Sequence, residues 1–111
     1  MFEGCTSDGE DQVLERQVRI CKAFASSTRL RMLDLLGKQP HSVSDLQTAL
    51  GLPMPNVSQH LAILKSAGIV STRREGKQTV YFLAIPEVKD ACKLLRDVLR
   101  AQLRSDSKLE V

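Results

Sequence analysis

The stretch VSDLQTALGLPMPNVSQHLAILKSAGIV, residues 43–70, decides the fold. Val43, Leu46 and Leu50 recur at spacings of three and four, one face of a helix over about 43–50, and Gly51 closes it. Ser42 or Ser44 offers a hydroxyl to cap its start. Val57, Leu61 and Leu64, with Ile63 on the flank, form a second apolar stripe over about 54–67 that stops at Gly68. Only Gly51-Leu52-Pro53 separates the two segments. Two helices joined by so tight a turn make a helix-turn-helix.

Outward from that unit, residues 69–74 and 78–84 change to strand character. Thr79, Val80, Tyr81, Phe82 and Leu83 are strand formers, and Glu75-Gly76-Lys77 supplies a hairpin turn. Pro86 then opens a final helix as an N1 proline, with an apolar seam of Val88, Cys92, Leu95, Leu99 and Leu103. Upstream, TRLRMLDLL turns Leu30, Leu33 and Leu36 to the core and ends at Gly37, behind the hydroxyls of Ser26-Ser27-Thr28. Before it, Leu14, Val18, Cys21 and Ala25 share a helical stripe, with Val13, Ile20 and Phe24 beside it. The predicted fold is mainly α with a small β-hairpin, a winged helix-turn-helix in the order α-α-α-α-β-β-α. Residues 1–10 read as a flexible acidic tail, 11–104 as one winged-helix domain, and 105–111 as a frayed C-terminal tail.

A chain of 111 residues fits one small domain. Its net charge of +3 is unevenly spread. Residues 1–12 hold Glu3, Asp8, Glu10 and Asp11 and no base, so the rest carries 16 basic residues against 9 acidic ones. A basic body suits a polyanionic partner. No apolar run approaches the roughly 20 residues of a membrane span, and MFEGCTSDGEDQ lacks the basic start and apolar run of a signal peptide. A cytoplasmic location follows as the expectation. Cys5, Cys21 and Cys92 include no CxxC pair, which points to free thiols. No Gly-rich phosphate loop or Ser/His/Asp arrangement recommends an enzyme. Aromatic content of 4% leaves no stacking platform for RNA.

The second helix of a helix-turn-helix enters the major groove and presents its N-terminal exposed residues to base edges. Here these are Met54, Asn56, Ser58, Gln59 and His60. Asn and Gln match the acceptor and donor of adenine, and Ser serves several bases. Lys65 lies further along, where a phosphate is the natural partner. Arg73, Arg74 and Lys77 surround Gly76, so the hairpin reads as a basic wing for a minor groove or backbone. Taken singly, a solvated helix and an ordinary charged hairpin would account for each element. Their order carries the DNA reading, and a winged-helix module that binds only protein, the alternative, has no need of a basic wing.

The segments FASSTRLRMLDLL (24–36), VSDLQTALGLPMPNVSQHLAILKSAGIV and STRREGKQTVYFL (71–83) resemble the ArsR/SmtB family of metalloregulatory repressors. The resemblance covers roughly residues 13–103, and NVSQHLAILKSAGIV is its most diagnostic part. It implies a winged-helix homodimer whose first and last helices form the interface. It also implies binding to an inverted-repeat operator in double-stranded DNA and release by an inducer. One departure is Pro53, which stands where the family often has a capping Ser; Pro55 still suits a first helical turn.

The family's inducer sites do not carry over. Its thiolate site at the start of the third helix is matched here by His41-Ser42-Val43-Ser44-Asp45-Leu46, with serines at both cysteine positions, and a hydroxyl is a poor ligand for soft ions. Its zinc site on the last helix needs Asp and His, whereas the matching region offers Ile85, Glu87, Asp97 and Arg100. The thiols remain. Cys21 and Cys92 lie on the two interface helices, and Cys5 on a tail able to fold over and complete a three-sulfur site for trivalent arsenic or another thiophilic ion. A redox or persulfide switch needs only two thiols. Cysteines on apolar stripes also serve as small hydrophobes, which would leave a repressor that answers to no inducer at these positions. His41 and His60, on separate helices, do not make a shared metal site. His60 matches a family histidine on the recognition helix, which implies DNA contact or helix packing.

Overall fold

The computed structural model describes residues 8–110, with side chains from 9 to 106. Five helices and three strands follow one another as α1 (Asp8–Phe24), α2 (Ser27–Lys38), β1 (His41–Ser42), α3 (Val43–Leu50), α4 (Met54–Ser66), β2 (Val70–Glu75), β3 (Gln78–Leu83) and α5 (Glu87–Glu110). The predicted winged helix-turn-helix is the fold observed. One small strand is added to it. β1 pairs antiparallel with β3, His41 opposite Tyr81 and Ser42 opposite Val80, so the sheet runs β1-β3-β2.

Local chemistry explains the element ends. Of the two serines offered as a cap for α3, Ser42 is the one used. Its hydroxyl accepts from the Asp45 amide at 3.0 Å, and the Asp45 carboxylate accepts from the Ser42 amide at 3.3 Å, a reciprocal capping box. Gly51 ends α3 in the left-handed region at φ 67°, a conformation that a side chain disfavours. Pro53 precedes α4 and contributes no side-chain cap. In the hairpin, Glu75 pairs with Gln78 across Gly76-Lys77, and Gly76 alone has positive φ, as the first central position of a type II′ turn requires.

The core lies where α2, α3, α4 and the sheet converge. Met32, Leu33, Leu36, Leu46, Val57, Leu61, Leu64, Ile69 and Val70 are buried there, joined by Ala23 of α1 and by Val88 and Cys92 of α5. Leu30 is only half-buried, and Met32 takes the inner place beside Leu33. The α1 stripe behaves differently from a core stripe. Val13, Val18 and Cys21 are exposed, and the small Ala23 makes the inward contact. Likewise the α5 seam is buried at Val88 and Cys92 and then runs out into solvent at Leu95, Leu99 and Leu103.

Three expectations about bounds are corrected. Gly37 does not stop α2, which continues through it to Lys38. The roughly 1 kcal/mol that a helical glycine costs is outweighed by the packing of Leu33 and Leu36 in the turn before it. α1 begins at Asp8, inside the stretch read as a tail, because Glu10 and Asp11 place negative charge in its first turn, where the helix dipole favours it. α5 runs to Glu110 through the segment read as frayed, since no Gly or Pro follows Pro86 to break it and Lys108, Leu109 and Glu110 are good helix formers. Among the described residues no helix is long and apolar enough to cross a membrane.

A Cβ built at Gly37 would meet only the Lys89 stem at 3.7 Å and Leu83 at 3.8 Å, both ordinary contacts. Gly37→Ala is therefore expected to stabilise the protein by about 0.5–1 kcal/mol, read as a higher urea midpoint. An unchanged or lower midpoint would contradict the helical assignment of Gly37.

Candidate nucleic-acid interface

Val57, Leu61 and Leu64 are fully buried on one side of α4, which fixes the rotation of the helix. Met54, Asn56, Ser58, Gln59 and Lys65 are consequently exposed. Five of the eight residues named from sequence thus sit on or just behind the outward front of α4, if His60 is counted; but His60 differs from the rest. It is half-buried, with Nδ1 3.1 Å from Nη1 of Arg29. A guanidinium has donors only, so Nδ1 accepts and the ring proton belongs on Nε2. The geometry makes His60 a packing contact of α4, one of the two roles its family position implies.

Arg29 was not visible in the sequence as a site residue. Besides the His60 contact, its Nε donates to the Ala23 carbonyl at 2.7 Å and its Nη2 to the Lys22 carbonyl at 3.2 Å. These are two of the last carbonyls of α1; the Lys22 carbonyl also accepts from the Ala25 amide at 3.2 Å, and the Ala23 carbonyl takes Arg29 as its donor. One side chain of α2 therefore ties the end of α1 to α4. The contacts span six, seven and 31 positions of chain, and no local spacing announces them.

The wing places Arg73, Arg74 and Lys77 on exposed positions of β2 and the turn. They are not equivalent. Arg73 forms an ion pair with Glu75, Nη2 to Oε2 at 2.6 Å, and its guanidinium carbon stands 5.3 Å from the Phe82 ring centroid. Arg74 and Lys77 form no ion pair among the described residues. The wing therefore presents two uncommitted cations and one that is half-neutralised by an exposed partner, a pair worth at most about 1 kcal/mol.

The cysteines fall apart as a set. Cys5 lies outside the described residues. Cys21 is exposed on α1 and Cys92 is buried on α5, and both are free. Among the described residues no group of three His, Cys, Asp or Glu could hold a metal ion. Cys92 lines an open cleft of about 650 Å³ between α2 and α5, which also holds Leu33, Asp34 and Arg96. Burial, and then the Asp34 carboxylate, push its thiol above the ordinary range, while Arg96 pulls it back. Asp34 is itself engaged by Arg96, through Oδ1 at 2.7 Å and Oδ2 at 2.9 Å. A thiol held protonated is a weak soft-metal ligand and a weak nucleophile.

Residues 26–72 match the model of the bacterial regulatory protein family arsR. The chain is similar to the homodimeric winged helix-turn-helix DNA-binding domain of Mb0332 from Mycobacterium bovis, with a TM-score of 0.82 at 33% identity, over 92% of this chain and 94% of that one. It is 39% identical over 80 residues to the transcriptional activator HlyU of Vibrio cholerae, covering 72% of this chain and 74% of that protein. It is 37% identical over 73 residues to the transcriptional repressor SmtB of Mycobacterium tuberculosis, covering 66% of this chain and 54% of that protein.

Arg29→Ala leaves the Ala23 carbonyl and His60 without their partner. A loss of roughly 1–3 kcal/mol is expected in urea unfolding. Arg29→Lys should recover only part of it, because an ammonium lacks the planar fork that reaches three acceptors at once. Full recovery by Lys would mean that charge alone matters there.

Proposed function

The chain belongs to the ArsR family of bacterial regulatory proteins, and from that premise we propose that it is a homodimeric repressor of transcription that occupies an inverted-repeat operator. Asn56, Ser58 and Gln59 meet base edges in the major groove, while Lys65, Arg74 and Lys77 hold phosphates and Arg73 supports the wing. His60 backs the reading helix from behind. The observation that carries this reading is the front of α4, exposed, polar and free of carboxylates, on a helix whose rotation is fixed by three fully buried residues. An uncharged polar surface beside uncommitted cations suits DNA, because base edges are read by hydrogen bonds and the backbone by charge.

Dimerisation rests on the apolar faces that the protomer leaves uncovered. Val13 and Val18 of α1, and Leu94, Leu95, Val98, Leu99 and Leu103 of α5, are each at least half exposed. Large apolar side chains left uncovered along a helix face mark an association site. Two protomers related by a two-fold axis then present two α4 helices to half-sites about one or two helical turns apart.

Release by an inducer, in this reading, acts through α1 and α5 rather than the reading unit. The thiols of Cys21 and Cys92 are the chemical handles on those helices, with Cys5 ahead of them. Trivalent arsenic, zinc and an oxidant titrated onto the DNA complex distinguish a soft-metal switch from a redox one. Release that persists in a Cys21→Ser/Cys92→Ser double variant removes both thiols from the mechanism.

On a duplex taken from upstream of its own coding region, Gln59→Ala is expected to narrow the gap between this duplex and mixed-sequence DNA. Arg74→Ala should weaken both to the same extent, with binding that falls less steeply as salt rises. If neither variant changes binding, the assigned DNA face is wrong.

A further inference from the structure

α1 turns two unlike surfaces outward. At 3.6 residues per turn, Val13, Leu14, Val18, Ile20, Cys21 and Phe24 fall within an arc of roughly 160°, the surface assigned above to the partner protomer. Arg19 and Lys22 lie outside that arc, on the edge facing α4. There they line an open cleft of about 430 Å³, with Gln59, Ile63 and Ser66 on its α4 side. No carboxylate lines the cleft. Arg29 also reaches into it, but its guanidinium is committed to the Lys22 and Ala23 carbonyls and to His60. Arg19 and Lys22 are exposed and form no ion pair among the described residues.

A helix with its side chains is about 10–12 Å across and the major groove about 12 Å wide. A seated helix fills the groove from edge to edge, so whatever flanks its outer face stands against the phosphates at the groove's rim. Gln59 belongs both to the base-reading front and to this cleft, which puts the rim nearest Gln59 beside α1. An ordinary solvated helix edge would mix its cations with carboxylates, as α5 does with Asp97 beside Arg100. In the cleft the two cations stand without one, Glu15 on the same edge of α1 lying outside its lining.

We propose that Arg19 and Lys22 bind backbone phosphates, which makes α1 a third DNA-contacting element beside α4 and the wing. The proposal rests on the DNA reading of α4. Its consequence is an affinity contribution that ignores sequence, since phosphate contacts position the protein without reading bases.

The test is fluorescence anisotropy of the full chain, across a salt series, on a mixed-sequence duplex and on an equally long duplex from upstream of its own coding region. Each phosphate contact contributes about 0.9 to the slope of log affinity against log salt. Arg19→Ala/Lys22→Ala should therefore lower the slope by about two and weaken both duplexes by the same factor. Arg19→Lys/Lys22→Arg should keep the wild-type slope. The thermal midpoint and the sedimentation of the dimer should not move, because both side chains are exposed. Arg74→Ala is measured alongside. A wild-type slope in the α1 double variant, with a reduced slope in Arg74→Ala, overturns the role of α1 and leaves the wing and α4 in place. Wild-type slopes in both variants remove the DNA face altogether, and α1 with it. A loss confined to one duplex, or a lower thermal midpoint with the slope intact, also overturns the phosphate assignment.

Discussion

Val57, Leu61 and Leu64 hold α4 by one face against Leu46 and Met32, and the exposed chemistry of the molecule is set by that contact. Burying a branched apolar side chain contributes about 1.5–3 kcal/mol. Turning α4 by a single residue, 100°, would bring all three toward solvent and remove an amount comparable with the whole stability of a small domain, about 5–15 kcal/mol. The helix has one tolerable rotation. Asn56, Ser58 and Gln59 face outward as a consequence of what lies behind them, with no interaction of their own needed to keep them there.

Rotation alone does not locate α4 relative to its neighbours, and Arg29 supplies that second constraint. The last carbonyls of a helix lack intrahelical donors and carry the negative end of its dipole. A guanidinium meets both needs at once, and its planar fork has donors left over. Arg29 uses Nε and Nη2 on α1 and turns Nη1 to His60 on α4. The end of one helix and the middle of another are thereby joined through a side chain of a third.

The parts of this structure that were legible in the sequence are those decided within a few residues. The α3–α4 unit follows from spacing and from Gly51, the hairpin from Gly76, and the α3 cap from a choice between two serines. Contacts set by distant chain were not legible. β1 is two residues long and exists because β3, about 40 positions later, offers it an edge. Gly37 carries the local signature of a helix end, yet the helix, packed through Leu33 and Leu36 before it, runs on to Lys38. In the site, the exposed front of α4 was readable because the apolar stripe fixes its complement. The pairing of His60 with Arg29 and of Arg73 with Glu75 was not, since both depend on where flexible side chains come to rest. Apolar stripes on α1 and α5 were visible as well, but a stripe does not say whether its own chain or another will cover it.

That ambiguity bears on control. α1 is shared between the two surfaces assigned here, with an apolar arc for the partner and an end whose carbonyls grip Arg29. Cys21 is on this helix, one residue before Lys22, whose carbonyl accepts from Arg29, whose other nitrogen meets His60 on α4. Cys92 sits on α5, which packs on α2, beside an Asp34–Arg96 pair and with its thiol pushed toward the protonated form. In the proposed switch, a change of state at Cys21 would act on a helix bonded directly to Arg29, which meets His60 of α4. In the proposed dimer Cys92 is covered by its own chain and Cys21 by the partner protomer, and a change at Cys92 would act through α2. For the thiol switch proposed above, Cys21 is the thiol with fewer contacts between it and α4.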